Sequence, residues 1–232
     1  MDRRPENRNY YPVFLNLEGR LAVVAGGGKV AERKVQGLLN AKARIRLISP
    51  EVTQRLERMA QGGLIELRMR GFLAEDMNGA WLAIAATDDR EAQDAVYRAA
   101  EERGVFCNTV DQPGLCSFMV PSVVRRGDFC LAVSTSGRSP ALARRFKEDI
   151  EGSLGDRFGE YVALLGELRE HILDLHQDLL ARTDMCQSLA DRNVMEWFER
   201  NEFDKISAWA ASKYGQWAVE IIERYRERAA SV

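Results

Sequence analysis

The apolar positions in the first half of the chain gather into five short runs, at residues 21–25, 45–49, 64–69, 81–86 and 105–110. Each is apolar on both faces and bounded by turn or capping residues, a pattern that predicts strands buried in a parallel sheet. Between them lie amphipathic stretches such as 30–39 and 91–103. In the latter Ala92, Ala95, Val96, Ala99 and Ala100 recur at helical spacing, with charges on the other face. This alternation predicts a parallel sheet with helices on both sides. After Asp111 the rhythm changes. Residues 118–124 and 129–134 are β-rich runs separated by Arg125, Arg126, Gly127 and Asp128, which predicts either a hairpin or strands that pair across a subunit boundary. Ser139 and Pro140 then read as an N-cap with proline at the first helical position, opening a helix to about Glu151. From Phe158 onward the pattern is helical: Phe158, Tyr161, Leu165, Leu168, Ile172, Leu175 and Leu179 step by three and four and form one apolar seam. Shorter helices are expected around 194–198, 206–214 and 217–225.

A chain of 232 residues can bury one full core and a second, smaller one. The expected division is an α/β domain at 1–113, a small β segment at 114–152 and a helical domain at 153–232. The net charge of -2 supplies no global basic field, so nucleic acid is not an expected partner. No apolar run approaches the ~18 residues that a membrane helix needs. The first nine residues are polar and charged, unlike a signal peptide. These features together read as a cytoplasmic protein. Cys107, Cys116, Cys130 and Cys186 lie far apart with no C-x-x-C pair, which argues against a zinc site and for buried free thiols. His171 and His176 are spaced i, i+5, off a common helical face, so no metal site is expected from them.

The first apolar run leads straight into Gly26, Gly27, Gly28, Lys29, Val30 and Ala31, a G-x-G-x-x-A pattern. Glycine at 26 permits a tight strand-to-helix turn. Glycine at 28 removes the Cβ that would keep a pyrophosphate from the helix N-terminus, and Ala31 lets the helix lie close to the strand. With a strand before it and a helix after it, the motif reads as a dinucleotide-binding fingerprint. Glu51, after Pro50, is the candidate acid for the ribose hydroxyls; the competing reading is an acid in the first turn of a helix. No Arg or Lys follows it immediately, which favours NAD over NADP.

Beyond the glycines, several blocks resemble the precorrin-2 dehydrogenase family, which includes the N-terminal part of siroheme synthase. The resemblance rests on Tyr11 through Leu17, on Val23 through Lys34, and on Leu82 through Asp89. It continues through Phe106-Cys107-Asn108-Thr109-Val110-Asp111, Ser117-Phe118-Met119-Val120-Pro121-Ser122 and Ser134 through Arg144. It spans residues 10–151. Thr135 and Ser136 depart from the Ser-Gly or Gly-Gly of many members. The resemblance implies a Rossmann-type α/β domain, a small β dimerisation segment and a helical C-terminal domain. It also implies NAD-dependent oxidation of precorrin-2 to sirohydrochlorin, with Fe(II) insertion in some members, and homodimers that exchange segment 118–134.

Asp111 matches the family's catalytic aspartate and is the candidate general base; by itself it also reads as a turn residue in Asp111-Gln112-Pro113-Gly114. Thr87 and Asp88 are further cofactor candidates by their matched block. Asn108, Ser134, Thr135 and Arg138 are the candidates for contact with a carboxylate-rich tetrapyrrole. Arg145 and Lys147 read as a solvated basic face. An alternative reading is a non-catalytic NAD-sensing domain.

Overall fold

The computed structural model describes residues 9–175 and 178–230, so the expectations for residues 1–8 and for His176 fall outside it. The chain forms two compact units: residues up to Val120 together with Ser136–Arg138, and Pro121–Thr135 together with Ser139–Val232.

In the first unit, β1 (Leu21–Ala25), β2 (Arg44–Ile48), β3 (Glu66–Arg68), β4 (Ala80–Ala85) and β5 (Phe106–Thr109) form a parallel sheet of order β3-β2-β1-β4-β5. That is the order of a Rossmann domain, whose ligands bind beyond the carboxyl ends of the strands. The period-2 alternation of β1 shows how the sheet holds two cores. Ala22 and Val24 pack with Ala31, Val35 and Leu38 of α1 (Lys29–Asn40) and with Leu56 of α2 (Gln54–Gln61). Leu21, Val23 and Ala25 pack on the other face with Val96, Ala99 and Ala100 of α3 (Arg90–Glu102) and with Met77 of a 3-10 turn at Ala74–Met77. The predicted strands are all present, shifted or shortened by a residue or two. The short helix α2 carried no prediction of its own, and Gln93, a polar residue, joins the buried stripe of α3.

In the second unit β6 (Ser122–Arg126) and β7 (Phe129–Val133) form an antiparallel hairpin. Arg125 and Arg126 belong to β6, and the turn is only Gly127, at φ +56°, and Asp128. Residues 118–121 are not strand. Next come α4 (Pro140–Ser153), α5 (Phe158–Leu175), α6 (Leu179–Ser188), α7 (Arg192–Glu199), α8 (Phe203–Lys213) and α9 (Gln216–Ala230). The Ser139 hydroxyl caps α4 by accepting from Leu142 N–H at 3.3 Å. The predicted seam on α5 is displaced: Tyr161, Leu164, Leu168 and Ile172 are buried with Phe198, Phe203, Ile206 and Ile222. Leu175 and Leu179 are exposed, because α5 ends at Leu175 and α6 begins at Leu179. The hairpin docks on this helical body through backbone. A Cβ on Gly159 would come within 3.0 Å of the Arg126 carbonyl carbon, and Phe129 meets Phe158 edge-on at 5.0 Å.

Candidate nucleotide and substrate site

The glycine turn is built from three different constraints. Gly26 adopts φ +118°, a region that L side chains rarely enter, and a Cβ there would overlap the Ala86 carbonyl at the end of β4. At Gly27 a Cβ would overlap the Glu51 carbonyl beyond β2. Gly28 differs: nothing lies within 4 Å of its Cβ position. It is the N-cap of α1, and no side chain caps that helix, whereas Thr53 and Asp89 cap α2 and α3. The first-turn amides of a helix lack intrahelical acceptors, so those of the exposed Lys29 and the half-buried Val30 are donors next to the open space at Gly28. That cradle fits the diphosphate of a dinucleotide.

Pro50 and Glu51 are exposed in the β2–α2 loop. Glu51 lies ahead of the Thr53 N-cap, so it is not a helix first-turn acid. The loop is fixed to the glycine turn: Thr53 N–H donates to Gly27 O at 3.0 Å, and the Ser49 hydroxyl donates to Glu51 O at 2.6 Å. Thr87 is half-buried and Asp88 exposed, both just past β4; the Thr87 hydroxyl accepts Asp89 N–H at 3.2 Å.

Two arrangements escaped the sequence reading. Gln93 sends its amide nitrogen to Thr87 O at 2.6 Å and Val110 O at 3.3 Å, which clamps the ends of β4 and β5 together. Its signal was a polar residue on the buried stripe of α3. The loop after β5 is also latched back onto its strand. The Cys116 thiol donates to Thr109 O at 3.2 Å and accepts Thr109 N–H at 3.3 Å, while Ser117 exchanges bonds with the Cys107 backbone. Asn108 donates to Phe118 O at 3.1 Å, so its side-chain amide is part of the same latch. Cys107 and Cys116 are buried as expected, and burial pushes the Cys107 thiol up to about 11. Cys130 and Cys186 are only half-buried, contrary to expectation, because they lie on the hairpin and on α6 rather than in a sheet core.

Asp111 sits on this latched loop, exposed and at φ +58°. Aspartate tolerates the left-handed region better than most residues, yet the conformation still carries strain of the kind that clusters at functional sites. Gly26 against Ala86, and Gln93 across Thr87 and Val110, tie the ends of β1, β4 and β5 in series. Gly28 and Asp111 therefore occupy one edge of one sheet, with the exposed Asp88 between them.

Ser134 and Thr135 follow β7 in the second unit; Ser134 is exposed and Thr135 half-buried. The Thr135 hydroxyl accepts Ser139 N–H at 2.9 Å. Arg138 is exposed in the Ser136–Arg138 segment, which belongs to the first unit; Ser136 and Gly137 turn there with φ +52° and +79°. Arg145 pairs with Asp149 at 3.3 Å and Lys147 with Glu151 at 2.7 Å, which keeps both on the α4 surface. His171 stacks on Trp217 at 4.7 Å. Among the described residues no three His, Cys, Asp or Glu gather as a metal site, and no helix is long and apolar enough to cross a membrane.

Residues 13–122 match a family model described as putative NAD(P)-binding, and residues 126–153 match one described as sirohaem biosynthesis protein central. Siroheme synthase 3 of Aeromonas hydrophila is 38% identical over 164 residues, which is 71% of this chain and 35% of that protein. A siroheme synthase of Pseudomonas aeruginosa is 37% identical over 188 residues, 81% of this chain and 40% of that protein. By these matches the chain is similar to the siroheme synthases over most of its length. The chain spans little more than a third of the first of these relatives and 40% of the second. The likeness of fold extends past the matched segments. A solved structure described as SirC, precorrin-2 dehydrogenase, superposes with a TM-score of 0.68 at 22% identity, covering 94% of this chain and 100% of that one.

Proposed function

We propose that this chain oxidises precorrin-2 to sirohydrochlorin, with NAD as the hydride acceptor and Asp111 as the general base. The observation that carries the reading is the shared sheet edge, where an uncapped helix start with open space at Gly28 and an exposed carboxylate at Asp111 stand at the ends of interlocked strands.

The nicotinamide, when bound, supplies the two-electron sink by accepting a hydride from a carbon of the tetrapyrrole. The protein does the rest. Gly28 and the first-turn amides of α1 hold the diphosphate, and Glu51 accepts the adenosine ribose hydroxyls. Asp111 takes the proton that leaves with the hydride, so the substrate loses one hydride and one proton in all. Its loop is held by Cys116, Ser117 and Asn108, so the carboxylate meets the substrate without first ordering the backbone. Ser134 and Thr135 supply hydroxyls, and Arg138 a guanidinium, for substrate carboxylates.

The chain works as a homodimer joined through segment 118–134. Within that segment Val120 and Val123 are exposed apolar side chains, of the kind that a subunit interface covers. Purified chain incubated with precorrin-2 and NAD is expected to give the sirohydrochlorin spectrum with one reduced nicotinamide per turnover. Adding Fe(II) afterwards separates a dehydrogenase from a bifunctional enzyme. A folded protein that binds NAD and leaves precorrin-2 unchanged contradicts the reading.

A further inference from the structure

The corner of the sheet beside Glu51 holds two arginines. Ser49 N–H donates to Arg68 O at 3.2 Å at the end of β2, and Arg70 N–H turns back onto that same carbonyl at 2.9 Å. The chain therefore folds tightly there and keeps Arg70 beside the β2 end. The same Ser49 holds Glu51 O, and Glu51 O abuts Gly27. Two arginines whose backbone lies beside the proposed adenosine ribose corner are the residue type that a 2′-phosphate would require.

Both are already committed. Arg70 is bidentate to Asp76, with Nη1 at 2.7 Å from Oδ2 and Nη2 at 2.7 Å from Oδ1. Arg68 donates to the same carboxylate and to Glu66. Asp76 has no exposed side-chain surface, accepts Leu73 N–H at 2.9 Å, and its carbonyl takes Arg46 Nη1 at 2.9 Å. A carboxylate wholly out of water does not give up its cations readily, because the charge left behind would be buried and unpaired.

We propose that Asp76 determines the preference for NAD over NADP by withholding Arg68 and Arg70 from the ribose corner. A 2′-phosphate entering there meets the Glu51 carboxylate and guanidiniums bound elsewhere, whereas a 2′-hydroxyl meets an acceptor. This rests on the dinucleotide reading above.

The test is calorimetric titration of the intact chain with NAD and with NADP, in wild type, Arg70→Ala, Asp76→Asn and the double variant. Wild type is expected to prefer NAD. Arg70→Ala is expected to leave the ratio of the two affinities unchanged, since that guanidinium is held away. Asp76→Asn is expected to narrow the ratio about tenfold through tighter NADP binding, the scale of one charge-assisted hydrogen bond, and the double variant is expected to lose that gain. Selective loss of NADP binding in Arg70→Ala overturns the proposal, even if Asp76→Asn does not fold. A folded Asp76→Asn with an unchanged ratio overturns it too. Wild type binding both nucleotides equally sinks the proposal alone; wild type binding neither sinks the dinucleotide reading beneath it.

Discussion

A methyl group added at Gly28 projects into open space, whereas one added at Gly26 or Gly27 lands on the carbonyl of Ala86 or Glu51. The three glycines should therefore separate in experiment. Gly28→Ala is expected to change stability by no more than about 1 kcal/mol while weakening NAD binding, because its Cβ occupies the room the diphosphate needs. Gly27→Ala is expected to cost about 1–3 kcal/mol through overpacking against fixed backbone, read as a shift in the denaturant midpoint. Asp111 makes a second division at this scale. Asp111→Asn keeps a residue that tolerates φ +58°, so the fold and NAD affinity are expected to hold while precorrin-2 oxidation falls about 100-fold or more. Matched losses of binding and turnover would make Asp111 a structural turn residue. The glycine pattern was legible from the sequence because each position serves a backbone need that only glycine meets. Sequence could not tell which glycine answers to the protein and which to a ligand, since that depends on Ala86 and Glu51, brought close only by the sheet.

At the scale of elements, the strands could be read in the sequence because sheet burial on both faces leaves unbroken apolar runs. The small helix α2 could not, since Leu56 is its only fully buried residue. The latch of Cys116, Ser117 and Asn108 on β5 was also hidden, because it uses backbone partners with no sequence signature. The same holds for Asp76. Burial alone would raise its pKa, but hydrogen bonds from Arg70, Leu73 N–H and Arg68 win and hold it to about 2, against an ordinary 3.8. The folded value lies below the unfolded one, so Asp76 contributes stability that is full above about pH 4 and is lost as pH falls through 2. A stability profile between pH 5 and 2 is expected to flatten in Asp76→Asn relative to wild type; an identical acid slope would remove this role. On the other unit, Gly159→Ala is expected to cost about 1–3 kcal/mol by pressing on the Arg126 carbonyl, with the loss read in the melting of the hairpin and helical body.

For the whole molecule, the seam on α5 taught the opposite lesson. The heptad-like spacing placed Tyr161, Leu168 and Ile172 in the buried stripe but missed Leu164 and ran through a helix end, because periodicity records spacing and not where the chain turns. What the far half does was least legible, since its core of Tyr161, Leu168, Phe198 and Ile222 shows packing and no chemistry. Phe198, wholly buried among aromatic neighbours, is expected on truncation to Ala to cost about 3–5 kcal/mol. The account as a whole depends on one nucleotide lying along one sheet edge. A crystal structure with NAD bound tests that most directly. The diphosphate is expected over Gly28 against the first turn of α1, the adenosine ribose at Glu51 and the nicotinamide directed toward Asp111. A nucleotide held elsewhere, or one whose nicotinamide points away from Asp111, would contradict it.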